Sequence, residues 1–328
     1  MKQSALRFLV CPSCRDSLRL HPDRTEGPET IEGSLVCAGC ARRYPVRAGV
    51  PRFVDGSTYA SSFGFQWNRF RDVQLDSASG MRESERTLEA VSGWTTGTYS
   101  NRLVLDAGVG AGRFAEIVAA NGGEVVGVDL TDAVDAAYVN IGRHPRVHLV
   151  QADLFAMPFR QGGFDLAYSI GVLHHTPDPR PAFARVAAMV RPGGGFAVYL
   201  YDRYGPGHRT NDALRSLSTR LPRRLMLSLS TAAVPLYYLY RIPLLGALLQ
   251  VLAPISLHPN WRWRWLDTFD WYTPRYQWKF LYPEVHRWFR ECGFEDVHVF
   301  DSPISMRGNK AGVDDRGRRT DDAVEAHA

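Results

Sequence analysis

The chain has 328 residues, of which 45% are hydrophobic and 22% are charged, and its formal net charge is +5. This composition is typical of a folded globular protein and excludes a largely disordered chain. The net charge is too small to indicate nucleic-acid binding by itself, and the length predicts one main domain with a smaller unit beside it.

Four of the five cysteines form two C-x-x-C pairs, Cys11 with Cys14 and Cys37 with Cys40. Each pair forms a tight turn that directs two thiolates to one point, so the two together predict a tetrahedral, structural Zn²⁺ site. A redox C-x-x-C and chance spacing are the alternatives. Residues 1–10 contain only a short apolar run, so we expect no signal peptide. Because the close cysteine pairs are not a disulfide framework, we expect a reducing, cytoplasmic location.

Two sequence segments around these cysteines resemble a known family of small domains. GSLVC at 33–37 and RYPVRAGVPRF at 43–53 are similar to the zinc-ribbon activator subunit of tRNA and release-factor methyltransferases. The resemblance implies a ribbon fused ahead of an enzyme, and it leaves open whether the ribbon binds RNA or braces the next domain. Four arginines are candidates for phosphate contacts, with a solvated surface as the favoured alternative: Arg42, Arg43, Arg47 and Arg52.

An aromatic segment follows the ribbon. FGFQWNRF at 63–70 lies before the main sheet, where it either folds over a ligand pocket as a lid or packs the ribbon against the next domain. Both alternatives stay open. The pattern of apolar and polar residues at 82–91 predicts an amphipathic helix.

A glycine-rich loop follows the first strand of the main domain, 103–105. Asp106 and three alternating glycines allow a sharp turn and a close approach to a ligand, and the next helix offers free N–H groups at its start. A second strand ends in Asp129, where a carboxylate can accept ribose hydroxyls. Further strands alternate with helical stretches, which predicts a parallel sheet with helices on both faces: 147–150, 164–169 and 195–200.

Residues 103–201 resemble the class I S-adenosylmethionine-dependent methyltransferases, type 11-like. The resemblance implies a Rossmann-like, seven-stranded, mostly parallel α/β sheet with an antiparallel final pair. It also implies S-adenosyl-L-methionine as cofactor. A dinucleotide dehydrogenase competes, but its third glycine would stand one residue later. The resemblance assigns these cofactor-binding residues: Asp106, Gly108, Gly110, Gly112, Asp129, Leu130, Asp153, Leu154 and Ser169.

Two histidines after the fourth strand are candidates for catalysis. A hydroxyl acceptor needs a base, and His174 or His175 lies at the edge of the sheet where open α/β sheets bind ligands. A structural histidine next to the following turn is the favoured alternative. The Asn/Asp-Pro-Pro-aromatic signature of amino-group methyltransferases is absent, so the segment resembles small-molecule and quinone methyltransferases more closely.

An insertion, 204–270, follows the fifth strand of the predicted sheet and is rich in arginine. Its stretch Leu225 to Leu257 is apolar, but prolines and Arg241 interrupt it, which argues against a transmembrane span. We expect a helical cap over the acceptor, or an interfacial segment that contacts a membrane, with a substrate-domain core as the alternative. WRWRW at 261–265 favours a strand over a site for single-stranded nucleic acid.

These patterns predict an S-adenosylmethionine-dependent methyltransferase that acts on a small, apolar or lipid-like molecule by O- or C-methylation. The alternatives are an RNA methyltransferase that uses the ribbon to bind its substrate, and a non-catalytic scaffold. Lipid or membrane contact through 225–257 and RNA contact both remain open. The predicted boundaries are 1–55 for the ribbon, 56–100 for the linker and aromatic segment, 101–203 for the methyltransferase core, 204–270 for the insertion, 271–310 for the end of the fold and 311–328 for a disordered tail.

Overall fold

The computed structural model describes residues 1–54, 58–204 and 208–312. The first two residues of the predicted linker and aromatic segment, 56–100, and nearly all of the predicted disordered tail, 311–328, lie outside the described residues.

The N-terminal unit is an antiparallel sheet of four strands, preceded by a 3₁₀ helix at Gln3–Arg7. The strands follow chain order across the sheet. Cys11 and Cys14 lie in the turn before the first strand, whereas Cys37 ends the second and Cys40 follows it. The strands are β1 (Leu18–Glu26), β2 (Glu29–Cys37), β3 (Arg43–Arg47) and β4 (Val50–Pro51).

The main sheet has seven strands, which confirms the predicted Rossmann-like fold. Their bounds are β5 (Leu103–Ala107), β6 (Glu124–Asp129), β7 (Val147–Gln151), β8 (Phe164–Ile170), β9 (Val190–Tyr199), β10 (Phe294–Val299) and β11 (Ser305–Lys310). The spatial order is β10-β11-β9-β8-β5-β6-β7. The pairings from β9 to β7 are parallel, and those of β10 and β11 are antiparallel. Strands β5, β6 and β7 are nearly continuous apolar runs, because helices cover both faces of the sheet.

Twelve helices are described: α1 (Ser61–Arg69), α2 (Asp76–Ser79), α3 (Glu83–Ser92), α4 (Arg113–Ala120), α5 (Ala133–Ile141), α6 (Pro179–Ala187), α7 (His208–Ser218), α8 (Arg223–Ser230), α9 (Ala233–Tyr240), α10 (Leu245–Leu252), α11 (Trp261–Tyr272) and α12 (Tyr282–Glu291). The predicted amphipathic helix at 82–91 corresponds to α3. Short 3₁₀ helices lie at Thr96–Tyr99, Leu154–Ala156 and Leu173–His175.

The N-terminal unit packs on the β7 edge of the main sheet. The Phe53 N–H donates to the Gln151 carbonyl at 2.8 Å. The buried Arg52 guanidinium donates to Gln151 Oε1 at 2.8 Å and to Asp135 Oδ1 at 2.5 Å. Leu35 of the ribbon and Val150 of the sheet belong to one apolar core. The ribbon and the sheet therefore support each other at the end of β7.

Five helices, α7 to α11, connect β9 with the final part of the fold. The structure corrects the predicted strand at 261–265, because these residues begin α11. The Asn260 side chain accepts the N–H groups of Arg262 at 2.9 Å and Trp263 at 3.3 Å, which caps the helix. Arg264 is buried and donates to three backbone carbonyls, so the alternating pattern does not separate a packed face from a wet one. Within the described ranges, no helix combines the length and apolarity that crossing a bilayer requires.

Candidate active site

The glycine-rich loop after β5 is held in a conformation that only glycine adopts easily. Gly108 and Gly110 have φ angles of +103° and +52°. A Cβ on Gly108 would lie 2.3 Å from a methyl carbon of Val172, and one on Gly110 would lie 3.2 Å from the Trp67 indole. Glycine thus lets the loop pass between these two side chains.

Asp129 ties the end of β6 to this loop. Its Oδ2 accepts the Gly110 N–H at 3.0 Å. Its Oδ1 accepts the Thr131 N–H at 2.9 Å and the Thr131 hydroxyl at 2.8 Å. Burial raises the pKa of Asp129 above its ordinary value, and these hydrogen bonds oppose that shift. The carboxylate lines a cavity beside the loop, in the position expected for a ribose-binding acid.

Three other predicted cofactor residues support the glycine-rich loop without lining the cavity. Asp106 is buried and accepts the Tyr168 hydroxyl at 3.0 Å, and burial raises the pKa of Asp106 to about 7. The Ser169 hydroxyl donates to the Ala107 carbonyl at 2.8 Å. A Cβ on Gly112 would meet Ile141, so this glycine allows α5 to pack closely. These residues shape the loop, whereas Gly108, Gly110 and Asp129 line the cavity.

The end of β7 supplies the remaining predicted cofactor residues. The Asp153 side chain accepts the Phe155 N–H at 3.0 Å and caps the 3₁₀ helix at Leu154–Ala156. Leu154 lines the cavity, as does Leu130 next to Asp129. The two leucines give the cavity apolar surfaces close to the acid, a setting that fits a nucleoside.

The cavity extends from the glycine-rich loop to α1 and α11 and has a volume of about 470 Å³. Aromatic side chains form much of its wall, and the predicted aromatic segment contributes two of them through α1. A cavity of this size and lining is typical of small-molecule sites. Its aromatic members are Tyr59, Phe63, Trp67, Phe114, Tyr199, Tyr201, Trp263 and Trp271.

A polar group on α1 and α11 interrupts this aromatic wall, and the sequence patterns assigned no binding or catalytic role to its members. Asp267 and Asp270 stand one turn apart on α11, and both line the cavity. Gln66 Nε2 donates to Asp270 Oδ1 at 2.9 Å, while Gln66 Oε1 is buried and has no hydrogen-bond partner in the described part of the chain. Asp267 accepts the Ser256 hydroxyl at 3.1 Å. The group therefore offers hydrogen-bond acceptors to a bound molecule.

Burial sets the ionisation of both aspartates. It raises the pKa of Asp267 to about 7, with further help from the Asp270 charge. It raises the pKa of Asp270 to about 6, against the Gln66 hydrogen bond and the Arg215 charge. Arg113 opposes the rise at Asp267, and burial lowers the pKa of Arg113 itself to about 10. The pKa values of both carboxyl groups therefore lie near neutral pH.

The two candidate catalytic histidines occupy different environments. His175 lines the cavity, and its Nδ1 lies 2.8 Å from the Tyr276 carbonyl, which fixes the neutral tautomer with hydrogen on Nδ1. Burial lowers the pKa of His175 to about 3. His174 is fully buried and stacks on Tyr201 with ring centroids 3.9 Å apart. Neither nitrogen of His174 has a hydrogen-bond partner among the described residues.

The four paired cysteines meet in the N-terminal unit. Their Sγ atoms all lie within 4.8 Å of one another. The Sγ atoms of Cys14 and Cys37 are 3.3 Å apart, and those of Cys11 and Cys40 are 3.7 Å apart. Four thiolates around zinc at about 2.3 Å lie about 3.8 Å from one another when the geometry is tetrahedral. The cluster is therefore compatible with zinc.

Comparisons with protein families match two regions of the chain. Residues 105–198 match the model described as a methyltransferase domain, and residues 2–49 match that of Trm112p-like proteins. The chain therefore combines a Trm112p-like region with a region that matches the methyltransferase domain and lies within the seven-stranded sheet, as the sequence patterns predict.

Curated relatives cover only part of this arrangement. A ubiquinone biosynthesis O-methyltransferase of Aromatoleum aromaticum is 36% identical over 115 residues, which are 31% of this chain and 49% of that protein. A sterol 24-C-methyltransferase of Kluyveromyces lactis is 28% identical over 162 residues, 46% of this chain and 42% of that protein. The chain thus spans about half the length of the curated relatives it matches.

A similar solved structure is a complex between the Haloferax volcanii Trm112 methyltransferase activator and the putative methyltransferase. It is 14% identical, with a TM-score of 0.44, and covers 74% of this chain and 80% of that chain.

Proposed function

We propose that this protein transfers the methyl group of S-adenosylmethionine to a small, largely apolar acceptor. The observation that carries the proposal is the continuous cavity between Asp129 at the glycine-rich loop and the aromatic wall at α11. Asp129 would accept the ribose hydroxyls, while Leu130 and Leu154 would pack against the adenine beside Asp153. The names of the two curated relatives support an apolar, lipid-like acceptor and either O- or C-methylation.

The cofactor supplies an activated methyl group on its sulfonium, so the chain must chiefly orient the acceptor and exclude water. Trp67 and Phe63 of α1 would line the acceptor site together with Trp263 and Trp271 of α11. The aromatic segment of the sequence would then serve both as a pocket wall and as packing, since Phe70 contacts Trp265 with ring centroids 5.0 Å apart.

A hydroxyl acceptor loses its proton when it is methylated, and Asp270 is the proton acceptor that the site supports best. A base is most effective when its pKa lies near the working pH. Burial places the pKa of Asp270 at about 6, whereas that of His175 is about 3. Asp267 has a comparable pKa of about 7, but both of its carboxylate oxygens already accept hydrogen bonds, from Gln74 at 3.4 Å and from Ser256 at 3.1 Å. His175, and His174 behind it, would then position Tyr201 and the acceptor rather than remove the proton.

The N-terminal unit would act as a zinc-dependent brace. Arg52 pairs inside the contact with the main sheet, and a buried cation of this kind is unavailable to a nucleic acid. Arg42, Arg43 and Arg47 remain exposed, which keeps an RNA acceptor as the second candidate function. The unbridged cysteines favour a reducing, cytoplasmic location.

The test is methyl transfer from S-adenosylmethionine labelled on its methyl group, with a total lipid extract and total RNA of the source organism as separate acceptors. We expect label in the lipid or other solvent-soluble fraction. Label in RNA alone would replace the proposal with the second candidate, and no label in either fraction would favour a non-catalytic scaffold.

A matched set of variants tests the proton acceptor. Asp270→Asn should lower the rate at least tenfold and remove an inflection near pH 6, while His175→Gln should retain that inflection. Asp178→Asn alters an exposed aspartate outside the cavity and should leave the rate unchanged. An unchanged pH profile in Asp270→Asn would refute its role.

A further inference from the structure

The helices α8, α9 and α10, with the turn at 241–244, form a surface that we call the helical patch. Its outer side is rich in exposed apolar side chains, and most of the exposed large apolar residues of the described chain lie between 214 and 257. Tyr238 is 74% exposed and Leu244 is 88% exposed. Monomeric proteins rarely expose contiguous apolar surface on this scale, so the patch indicates a partner.

The exposed side chains of the patch are not a hydrophobic core left uncovered, because the helices pack elsewhere. Two of its helices, α9 and α10, share a small core, in which Ala233 and Tyr240 of α9 and Ile255 beyond the end of α10 are buried. Trp265 Nε1 of α11 donates to the Leu227 carbonyl of α8 at 2.9 Å, so the other side of the helices is anchored on α11. Because α11 stands between the patch and the cavity, the patch lies outside the site described above. Among the described residues, the stretch 225–257 of the predicted cap supplies no side chain that lines the cavity, whereas α11 at the end of the insertion does.

One exposed leucine of the patch has an unusual backbone conformation. Leu244 adopts a φ angle of +64° in the turn between α9 and α10. That conformation costs a leucine roughly 1–3 kcal/mol and is retained where the surroundings or the function require it. Here it places an apolar side chain at the most exposed point of the patch.

Charge limits what the partner can be. No aspartate or glutamate occurs between Asp212 and Asp267. Arg220 and Arg224 are exposed at the start of α8, and Arg241 is exposed at the end of α9. An apolar surface with a purely basic rim complements a surface that is apolar inside and anionic at its edge. Phospholipid bilayers with acidic headgroups have this arrangement.

We propose that the helical patch docks on an anionic membrane surface, with Tyr238, Leu244 and Leu248 entering the interface and the arginines contacting lipid headgroups. Each of these helices has eight residues, far fewer than the roughly 20 that a spanning helix needs, so the contact would be with the membrane interface. Arg223 of α8 also donates to the Ser61 carbonyl of α1, so the docked surface is connected to the wall of the cavity. The proposal does not depend on the chemistry of that cavity.

Cosedimentation of the full chain with vesicles tests the proposal. The vesicles are pure phosphatidylcholine, or phosphatidylcholine with about a third phosphatidylglycerol, at low and high salt. We expect at least tenfold tighter binding to the anionic vesicles at low salt, and weaker binding as salt increases. A Leu244→Asp/Leu248→Asp variant should lose at least tenfold in affinity. An Arg220→Gln/Arg224→Gln variant should lose about 30-fold in affinity, because each basic residue near such a surface contributes about 1 kcal/mol.

The matched control is Val139→Asp, which places the same charge on an exposed apolar residue of α5, outside the patch. It should bind as the wild type does, and thermal melting should confirm that all variants fold. Absence of wild-type binding to anionic vesicles, or equal binding of the Leu244→Asp/Leu248→Asp variant, would overturn the proposal. A dimer that this variant dissociates, without vesicle binding, would also overturn it and assign the patch to a second copy of the chain.

Discussion

Replacing Asp129 with alanine should weaken the binding of S-adenosylhomocysteine by about 1–3 kcal/mol, or about 5- to 150-fold in Kd. In the free chain the carboxylate accepts the Gly110 N–H and two donors of Thr131. Alanine removes the acceptor for the ribose hydroxyls and also leaves the loop donors without their partner. The range of about 1–3 kcal/mol is the usual cost of removing the acceptor of a buried hydrogen bond while its donor stays buried without a partner.

Isothermal titration calorimetry of the full chain with S-adenosylhomocysteine measures this effect. Asp129→Asn should lose a similar amount, because its amide can keep one oxygen towards Thr131 but then presents an N–H₂ group to the Gly110 N–H. Asp178→Asn serves as the control, since Asp178 is exposed. Equal affinity of Asp129→Ala and the wild type, with both proteins folded, would refute the role of Asp129.

Three further predictions concern metal, pH and the loop. Elemental analysis should find one zinc per chain. Cys37→Ser should lower the Tm of the whole protein, because the ribbon and the sheet share a core. A metal-free protein with an unchanged Tm would contradict this prediction. Burial raises the pKa of Asp267 to about 7, so its ionisation opposes folding increasingly between about pH 4 and pH 7. Asp267→Asn should therefore exceed the wild type in free energy of unfolding at pH 8, on the order of 2 kcal/mol, but not at pH 4. Equal denaturant midpoints at pH 8 would refute that. Gly108→Ala should lose about 1–3 kcal/mol of stability from its φ of +103° and its collision with Val172, and unchanged denaturant unfolding would argue against this loop conformation.

The sequence predicted the features that depend on local pattern. Buried parallel strands are short apolar runs, and the acids that end them follow directly in the chain. The glycine spacing and the two cysteine pairs are equally local, so the parallel part of the sheet and the four-cysteine cluster could be predicted from the residues. The number of strands and the antiparallel final pair were implied by the resemblance to class I methyltransferases. The helix at 261–272 was missed, although Asn260 provides an N-cap signal, because the alternating WRWRW pattern favoured a strand.

The pairing of polar side chains on the acceptor side of the cavity could not be predicted in the same way. Gln66 and Asp270 are 204 positions apart, and only the packing of α1 against α11 brings them together. The apolar run of the insertion presented a related difficulty. A buried core and an exposed patch have the same composition, and only the packing of α8 to α10 against α11 determines which side chains, such as Leu244, remain exposed.

A crystal structure of the full chain with S-adenosylhomocysteine tests the central claim most directly. The account predicts that the ribose hydroxyls lie about 2.6–3.2 Å from the Asp129 carboxylate, with the sulfur facing the side of the cavity formed by Asp270 and Tyr201. A nucleoside bound elsewhere on the chain, or a cavity without nucleoside density at saturating ligand, would contradict it.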